Sequence, residues 1–242
     1  MGQGPIIVLL HGFMEDSSIW NSLLLELPQD YHWVAIDLPG HGESTSDMER
    51  YTMEYLAKRV QAVLNHLNCE VYQCIGHSMG GYVGLALAKK DKSKCKGLVL
   101  LNSTFEADDP QRKKDRVRSA ELTLKNPKSY VQMAMTNLFH AQSREMVKDD
   151  MKKLIHKAQQ MNPKSIAAAH LGMKDRVDEL ATFLQVEHNL AIIGKEDSVL
   201  DAEDLTSKCE LHSIPVRMLE GGHMSWLENP DGVIQSITSF LR

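Results

Sequence analysis

Between an apolar run at Val71 to Ile75 and a helix-like segment at Met79 to Lys90, the chain reads Gly76-His77-Ser78-Met79-Gly80-Gly81. A backbone that passes from strand to helix at a single residue must take strained dihedrals there and crowds the positions around it. The positions two before and two after Ser78 must therefore lack bulk, and both are glycine. The G-x-S-x-G spacing in this context predicts a hydroxyl held out above the edge of a sheet. The following helix aims its unpaired N–H groups and partial positive charge at whatever oxygen Ser78 attacks.

The segments around this turn alternate in apolar period. Ile6 to Leu10 is a short continuous apolar run, as expected of a strand buried on both faces, and it stops at His11-Gly12. Asp16-Ser17-Ser18 offers caps for a helix running to about Leu27, before Pro28. Trp33 to Ile36 reads as a strand, and the turn-rich Asp37-Leu38-Pro39-Gly40-His41-Gly42 as a loop. In Tyr51 to Leu67, the residues Leu56, Val60, Val63, Leu64 and Leu67 fall on one helical stripe. With Gly97 to Leu101 as a fourth strand, the rhythm is βαβαβαβ, which implies a mostly parallel sheet with helices on both faces.

That rhythm breaks after Asn102. Phe105 to about Glu187 holds helix-like segments punctuated by Asn126-Pro127 and Asn162-Pro163, and strand signals return at Leu190 to Ile193 and Val216 to Leu219. Val233, Ile237, Phe240 and Leu241 give a closing amphipathic helix. The expected organisation is an α/β core, residues 1–103 and 188–242, interrupted by an α-helical insertion, residues 104–187.

Composition narrows the function classes. Of 242 residues, 43% are hydrophobic and 24% charged, which excludes disordered and collagen-like chains. Lys and Arg number 27 against 32 Asp and Glu, a formal charge of −5, which argues against a nucleic-acid partner. No run reaches the roughly 18 apolar residues of a membrane span, and the start at Met1 lacks a basic segment followed by a cleavable apolar core, so a cytoplasmic location is expected. Cys69, Cys74, Cys95 and Cys209 form no C-x-x-C pair for a metal and are expected as reduced, mostly buried thiols. The basic run Arg112-Lys113-Lys114-Asp115-Arg116-Val117-Arg118 reads as a solvated helix face.

A serine hydroxyl is a poor nucleophile unless a base takes its proton, and that base needs an acid to hold its tautomer. With a nucleophile at such a turn, the chain order is serine, acid, histidine. Asp197 directly follows the strand Leu190 to Ile193, with Glu196 as rival acid and Asp201 as a poorer one; His223 follows Val216 to Leu219. Both therefore fall at carboxyl ends of strands, where open α/β sheets bind ligands. His66, His156 and His170 sit in helical segments and read as surface residues, while His188 and His212 lie near strand beginnings. The two oxyanion donors are expected to be the backbone N–H groups of Met79 and Phe13, with Gly12 permitting close approach. His11, Asp37 and His41 read as loop braces, and His77 as a residue that orients the turn or touches substrate.

The ordered set His11-Gly12-Phe13, Asp37-Leu38-Pro39-Gly40-His41-Gly42-Glu43-Ser44, Gly76-His77-Ser78-Met79-Gly80-Gly81, Gly194-Lys195-Glu196-Asp197 and Gly222-His223 resembles the α/β-hydrolase superfamily. The resemblance implies a catalytic triad of Ser78, Asp197 and His223, no cofactor and no metal, and a substrate pocket under a helical cap formed by the insertion. Members of this family usually begin with a β-hairpin, but only Met1 to Pro5 precede Ile6. The strand at Trp33 to Ile36 is then expected at a sheet edge, either blunted by the chain's own ends or used for self-association, giving a monomer or a homodimer.

The expected function is hydrolysis of a small or medium carboxylic ester through an acyl-enzyme. Met133, Met135, Leu138, Phe139 and Met173 are candidates to line an apolar acyl pocket, with Trp226 either reaching the pocket or packing beneath the His223 loop. Ser78, rather than Asp, argues against dehalogenase and epoxide-hydrolase chemistry. A lyase resembling that of the menaquinone pathway, a thioesterase, a lactonase, a carbon-carbon bond hydrolase and a non-catalytic ligand receptor are the alternatives. The first of these is lowered by Tyr82, which stands after Gly80-Gly81 where such lyases commonly carry a cation.

Overall fold

The computed structural model describes residues 4–242. The sequence expectations that rest on Met1 to Gln3, the absent leader and the first part of the absent hairpin, lie outside those residues. β1 (Ile6–Leu10) is followed by a single 3-10 turn (Ser17–Trp20) and the one-turn helix α1 (Asn21–Leu24). The continuous helix expected from Asp16 to Leu27 is thus two short turns. Asp16 still caps the first of them by accepting the Ser18 amide, and buried Trp20 and Leu23 anchor the pair.

β2 (His32–Ile36), α2 (Met53–His66), β3 (Tyr72–His77), α3 (Met79–Lys90) and β4 (Cys95–Leu101) follow. Helices α4 (Pro110–Lys125), α5 (Pro127–Leu138), α6 (Lys148–Ala158), α7 (Pro163–Lys174) and α8 (Leu180–Gln185) then precede β5 (His188–Gly194). α9 (Ala202–Leu211), β6 (Val216–Leu219), α10 (Ser225–Glu228) and α11 (Pro230–Leu241) complete the chain.

The six strands form one parallel sheet in the order β2-β1-β3-β4-β5-β6. Successive residues of each central strand enter opposite apolar layers. Val8, Leu10, Cys74, Leu98, Leu100 and Ile193 pack with α2, α3 and α9, while Ile7, Leu9, Ile75, Val99, Leu101 and Ile192 pack with α11 and the first helical turns. Burial on both faces is why these strands read as unbroken apolar runs. Strand order reverses between β1 and β3, so the loops leaving those two strands diverge and open a crevice at the carboxyl edge.

β2 lies at a sheet edge, as the resemblance to the family's strand order implied. Along the α2 stripe, Leu56, Val60 and Leu64 are buried, but Val63 and Leu67 are partly exposed. No further strand covers this flank among the described residues, and Val63 lines an open groove there with Val34 and Ile36.

Asp109 and Asn162 cap α4 and α7 just before Pro110 and Pro163, which accounts for the helix boundaries signalled at the second Asn-Pro pair. The helical insertion is bound closely to the sheet layers. α8 packs on α3 through Phe183 in the same apolar layer, and the Tyr51 amide donates to the Ala168 carbonyl of α7 (3.1 Å). Where α7 crosses this loop, a Cβ on Gly172 would lie 1.7 Å from the Tyr51 carbonyl oxygen. Because that obstacle is backbone, Gly172→Ala is expected to cost about 3 kcal/mol and to lower Tm by roughly 6 to 12 °C. A thermal unfolding curve unchanged within about 2 °C would show that the two segments separate without penalty.

Candidate active site

Ser78 joins β3 to α3 with φ 50° and ψ −117°, in the left-handed half of the map that a side chain rarely occupies. The glycines around it are spatially required. A Cβ on Gly76 would meet the Gly80 carbonyl oxygen at 2.4 Å, and one on Gly80 would meet the Leu10 carbonyl oxygen at 2.3 Å. The Ser78 amide donates to the Leu101 carbonyl (2.9 Å) and Ser103 Oγ donates to the Ser78 carbonyl (2.7 Å), which pins the turn to the end of β4.

The strand ends bring the distant groups to this serine. Ser78 Oγ donates to His223 Nε2 (2.8 Å), and His223 Nδ1 donates to Asp197 (2.9 Å to Oδ1, 2.8 Å to Oδ2). Burial raises the Asp197 carboxyl, but the adjoining His223 ring and hydrogen bonds from Asn102 and the Val199 amide outweigh it and hold the group below its ordinary value. The rival acids have other duties: Glu196 Oε2 accepts the Gly221 amide (3.0 Å), and Asp201 caps α9 through the Asp204 amide (3.0 Å). The amides of Phe13 and Met79 have no protein acceptor among the described residues. His11 Nε2 accepts the Leu38 amide (2.9 Å), and Asp37 accepts the amides of Ser17 and Glu43 (2.7 and 2.9 Å). Both residues therefore act as loop braces.

Three side chains beside this arrangement carried no distinguishing sequence signal. Asn102 Nδ2 donates to Asp197 Oδ2 (3.0 Å) and to the Gly222 carbonyl (3.2 Å). Glu228 accepts the amides of Gly222 and His140 (2.8 Å each), tying the His223 turn to the end of α5. Glu15, fully buried, accepts the Gly12 amide (2.6 Å), His77 Nδ1 (2.8 Å) and Trp226 Nε1 (3.3 Å). Its position four residues after His11, in a loop already singled out, is the trace that could have found it.

His77 Nδ1 faces this carboxylate and His77 Nε2 donates to the His223 carbonyl (3.0 Å). Both partners only accept, so the ring carries both protons and is cationic. Burial lowers its pKa, but the Glu15 charge and hydrogen bond reverse this and leave it raised; burial raises that of Glu15, and the His77 charge and hydrogen bond leave it lowered. The His77 contribution to stability is complete below its ordinary value of 6.5 and declines as pH rises through the elevated one. The Glu15 contribution is complete above 4.5 and declines as pH falls through the depressed one. Glu15→Gln is accordingly expected to lose about 3 to 5 kcal/mol of unfolding free energy in urea at pH 5.5, with the loss shrinking on either side of that window. A flat difference from pH 4 to 9 would rule out the ion pair.

Ser78 and His223 open on a cavity of about 150 Å3. α4 contributes Arg116, α5 contributes Tyr130, Ala134 and Leu138, α7 contributes His170 and Met173, and the sheet side contributes Phe13, Met14, Glu15 and His77. Of the residues expected to line an acyl pocket, Leu138 and Met173 are there, and so is His77. Met133 is 53% exposed on the outer face of α5, one residue round the helix from Ala134. Phe139 and Met135 are buried in the apolar layer behind the cavity, and Trp226 packs beneath the His223 turn against Glu15. His170, expected at the surface, is buried, with Nε2 2.5 Å from the Tyr130 hydroxyl; burial and then the Arg116 charge push its pKa down to about 3. Arg116 likewise leaves the expected solvated face, with a side chain 14% exposed.

The four cysteines are unpaired and buried. No helix among the described residues is long and apolar enough to cross a membrane.

Comparison with known proteins agrees with the fold. A profile of the family described as the alpha/beta hydrolase fold matches residues 5–230. The chain is 30% identical over 243 aligned positions, covering 99% of its length, to a protein of Pseudomonas putida named the dihydrolipoyllysine-residue acetyltransferase component of an acetoin cleaving system. It spans only 64% of that relative. A thermophilic esterase from Thermogutta terrifontis, solved with malate bound, superposes with a TM-score of 0.91 at 28% identity, covering 100% of this chain and 91% of the esterase. The enol-lactonase of Burkholderia xenovorans LB400 superposes with a TM-score of 0.89 at 21% identity, over 99% and 92% of the two chains, a likeness of fold.

Proposed function

From a chain that belongs to the α/β-hydrolase family, we propose a serine hydrolase that cleaves small or medium carboxylic esters through an acyl-enzyme. The observation that carries this reading is the unbroken line Ser78 Oγ, His223 Nε2, His223 Nδ1, Asp197 beside a cavity that Ser78 and His223 line. In the first step His223 takes the Ser78 proton as Oγ attacks the ester carbonyl, and the new oxyanion is held by the Phe13 and Met79 amides. Each such donor supplies about 2.7 to 4 kcal/mol in comparable sites. His223 then returns the proton to the departing alkoxide, so the alcohol leaves and Ser78 keeps the acyl group. In the second half His223 deprotonates water, hydroxide attacks the acyl carbonyl, and Ser78 recovers its proton as the acid departs.

His77 and Glu15 support the same reading. Their ion pair fixes the Gly12-Phe13 loop through the Gly12 amide and the His223 backbone through its carbonyl, so the proposed oxyanion donor and the base are held by one buried pair.

The test is covalent labelling with a fluorophosphonate together with turnover of 4-nitrophenyl acetate. The expected result is a single phosphonylated peptide containing Ser78 and saturable release of nitrophenol. A protein that neither labels nor turns over, while still binding small molecules in the cavity, is a ligand receptor and the proposal is wrong.

A further inference from the structure

Arg116 stands out among the lining residues of the Ser78 cavity. Among the other charged groups there, Glu15 and His77 neutralise each other. Arg116 belongs to a cluster in which the guanidiniums of Arg112, Arg116 and Arg176 surround the buried Asp108 carboxylate at 3.8, 3.0 and 2.6 Å. One negative charge thus faces three positive ones. Arg112 also donates to the Val199 carbonyl, and Arg176 donates to the carbonyls of Glu106 and Met173. Arg116 is different. Its Nε is occupied by Asp108, and its two terminal nitrogens make no hydrogen bond among the described residues in a side chain that stays 14% exposed.

The neighbouring wall holds a buried polar atom without a partner. His170 Nδ1 is buried with no partner among the described residues, beside the Tyr130 hydroxyl on the other ring nitrogen. The Arg116 charge helps to keep that imidazole neutral. A planar guanidinium with two free N–H edges matches a carboxylate in a forked, two-bond geometry. The cavity, about 150 Å3, is of the size that holds a benzene-sized guest.

Accepting the serine-hydrolase reading, we propose that Arg116 forms the anion-binding end of the acyl subsite, and that the preferred substrates are esters whose short acyl chain ends in a second, free carboxylate. The acyl side is assigned because the smaller cavity is the one that Ser78 and His223 themselves line. A larger cavity, about 480 Å3 and lined mainly by polar residues, meets it at Met14 and is assigned to the departing alcohol.

The experiment compares mono-4-nitrophenyl glutarate with 4-nitrophenyl pentanoate, an acyl chain of equal length that lacks the charge. Wild type is expected to favour the glutarate ester at least tenfold in kcat/KM, chiefly through KM. In Arg116→Gln that ratio is expected to fall about 10- to 100-fold, the range for one hydrogen-bonded charge. Arg116→Lys should recover part of the ratio, since it keeps the charge but loses the fork. A wild-type preference for pentanoate, or a ratio unchanged in Arg116→Gln, overturns the proposal.

Free glutarate supplies a readout that needs no turnover. It should raise the Tm of wild type and of Ser78→Ala, but not of Arg116→Gln, and it should inhibit pentanoate hydrolysis competitively. Should Arg116→Gln fail to fold, absence of competitive inhibition and of a Tm shift in wild type would by itself overturn the assignment. Loss of all ester turnover with the glutarate shift retained would sink the hydrolase reading and leave the anion site standing.

Discussion

Ser78→Ala is expected to lower kcat for 4-nitrophenyl acetate about 10^6-fold, the scale seen when the nucleophile of a coupled triad is removed. The residue left behind cannot form an acyl-enzyme, and His223 Nε2 loses its hydrogen-bonding partner. What survives is binding of the carbonyl beside the Phe13 and Met79 amides, which in comparable sites still exceeds the uncatalysed rate by about 10^3- to 10^4-fold. The backbone consequence is small, because alanine at φ 50° bears the same strain that serine already bears. Thermal unfolding should therefore be close to wild type while fluorophosphonate labelling disappears. A variant that retains more than about one per cent of wild-type kcat, a loss far short of that scale, would mean another group carries the chemistry.

Asp197→Asn should lower kcat about 10^4-fold with substrate binding little changed, since the cost falls on the tautomer of the base. In the native arrangement both carboxylate oxygens face His223 Nδ1, which must then carry the proton and leave Nε2 free to accept from Ser78. An asparagine amide presented to Nδ1 reverses that choice. Its surroundings hold it in the harmful orientation: the amides of Val199 and Leu200 donate to Oδ1 (2.7 and 3.0 Å) and keep an oxygen there. The amide nitrogen is then pushed to the side occupied by Asn102 Nδ2, where two donors meet. Glu196→Gln and Asp201→Asn change a turn contact and a helix cap, and each should alter kcat less than tenfold. Steady-state kinetics of the three variants settles the assignment. Larger damage from Glu196→Gln than from Asp197→Asn would transfer the role to Glu196.

What could be read in advance follows from the range of the forces involved. The Ser78 turn is a local steric problem, solved within five residues, and it is written as glycines at Gly76 and Gly80. Asp197 and His223 were legible because a parallel sheet places every strand's carboxyl end on one edge, whichever order the strands take. The cavity walls were not. Met133 and Ala134 are adjacent in sequence, and only the rotation of α5 against α4 and α7 decides that alanine looks inward and methionine outward. His170 and Arg116 had the ordinary look of polar residues on amphipathic helices. Their burial depends on Asp108 and Tyr130 being delivered by other segments, a tertiary fact without periodic trace. Glu15 was overlooked for a related reason. An acid in a loop is unremarkable until it meets the buried His77 ring, and that meeting requires β1 and β3 to be neighbours.

The bonds that join α5 to the base turn limit how substrate can arrive. The His223 amide donates to the Leu138 carbonyl (3.1 Å), and Glu228 grips the amides of both His140 and Gly222. If α5 swung outward to admit a guest, it would drag the imidazole from the serine, and the machine would be disarmed whenever its door stood open. An approach from the opposite flank, past Met14, which lines both cavities, would leave those bonds intact. On such a route the His223 ring would keep its place beside Ser78 while the cavity filled and emptied.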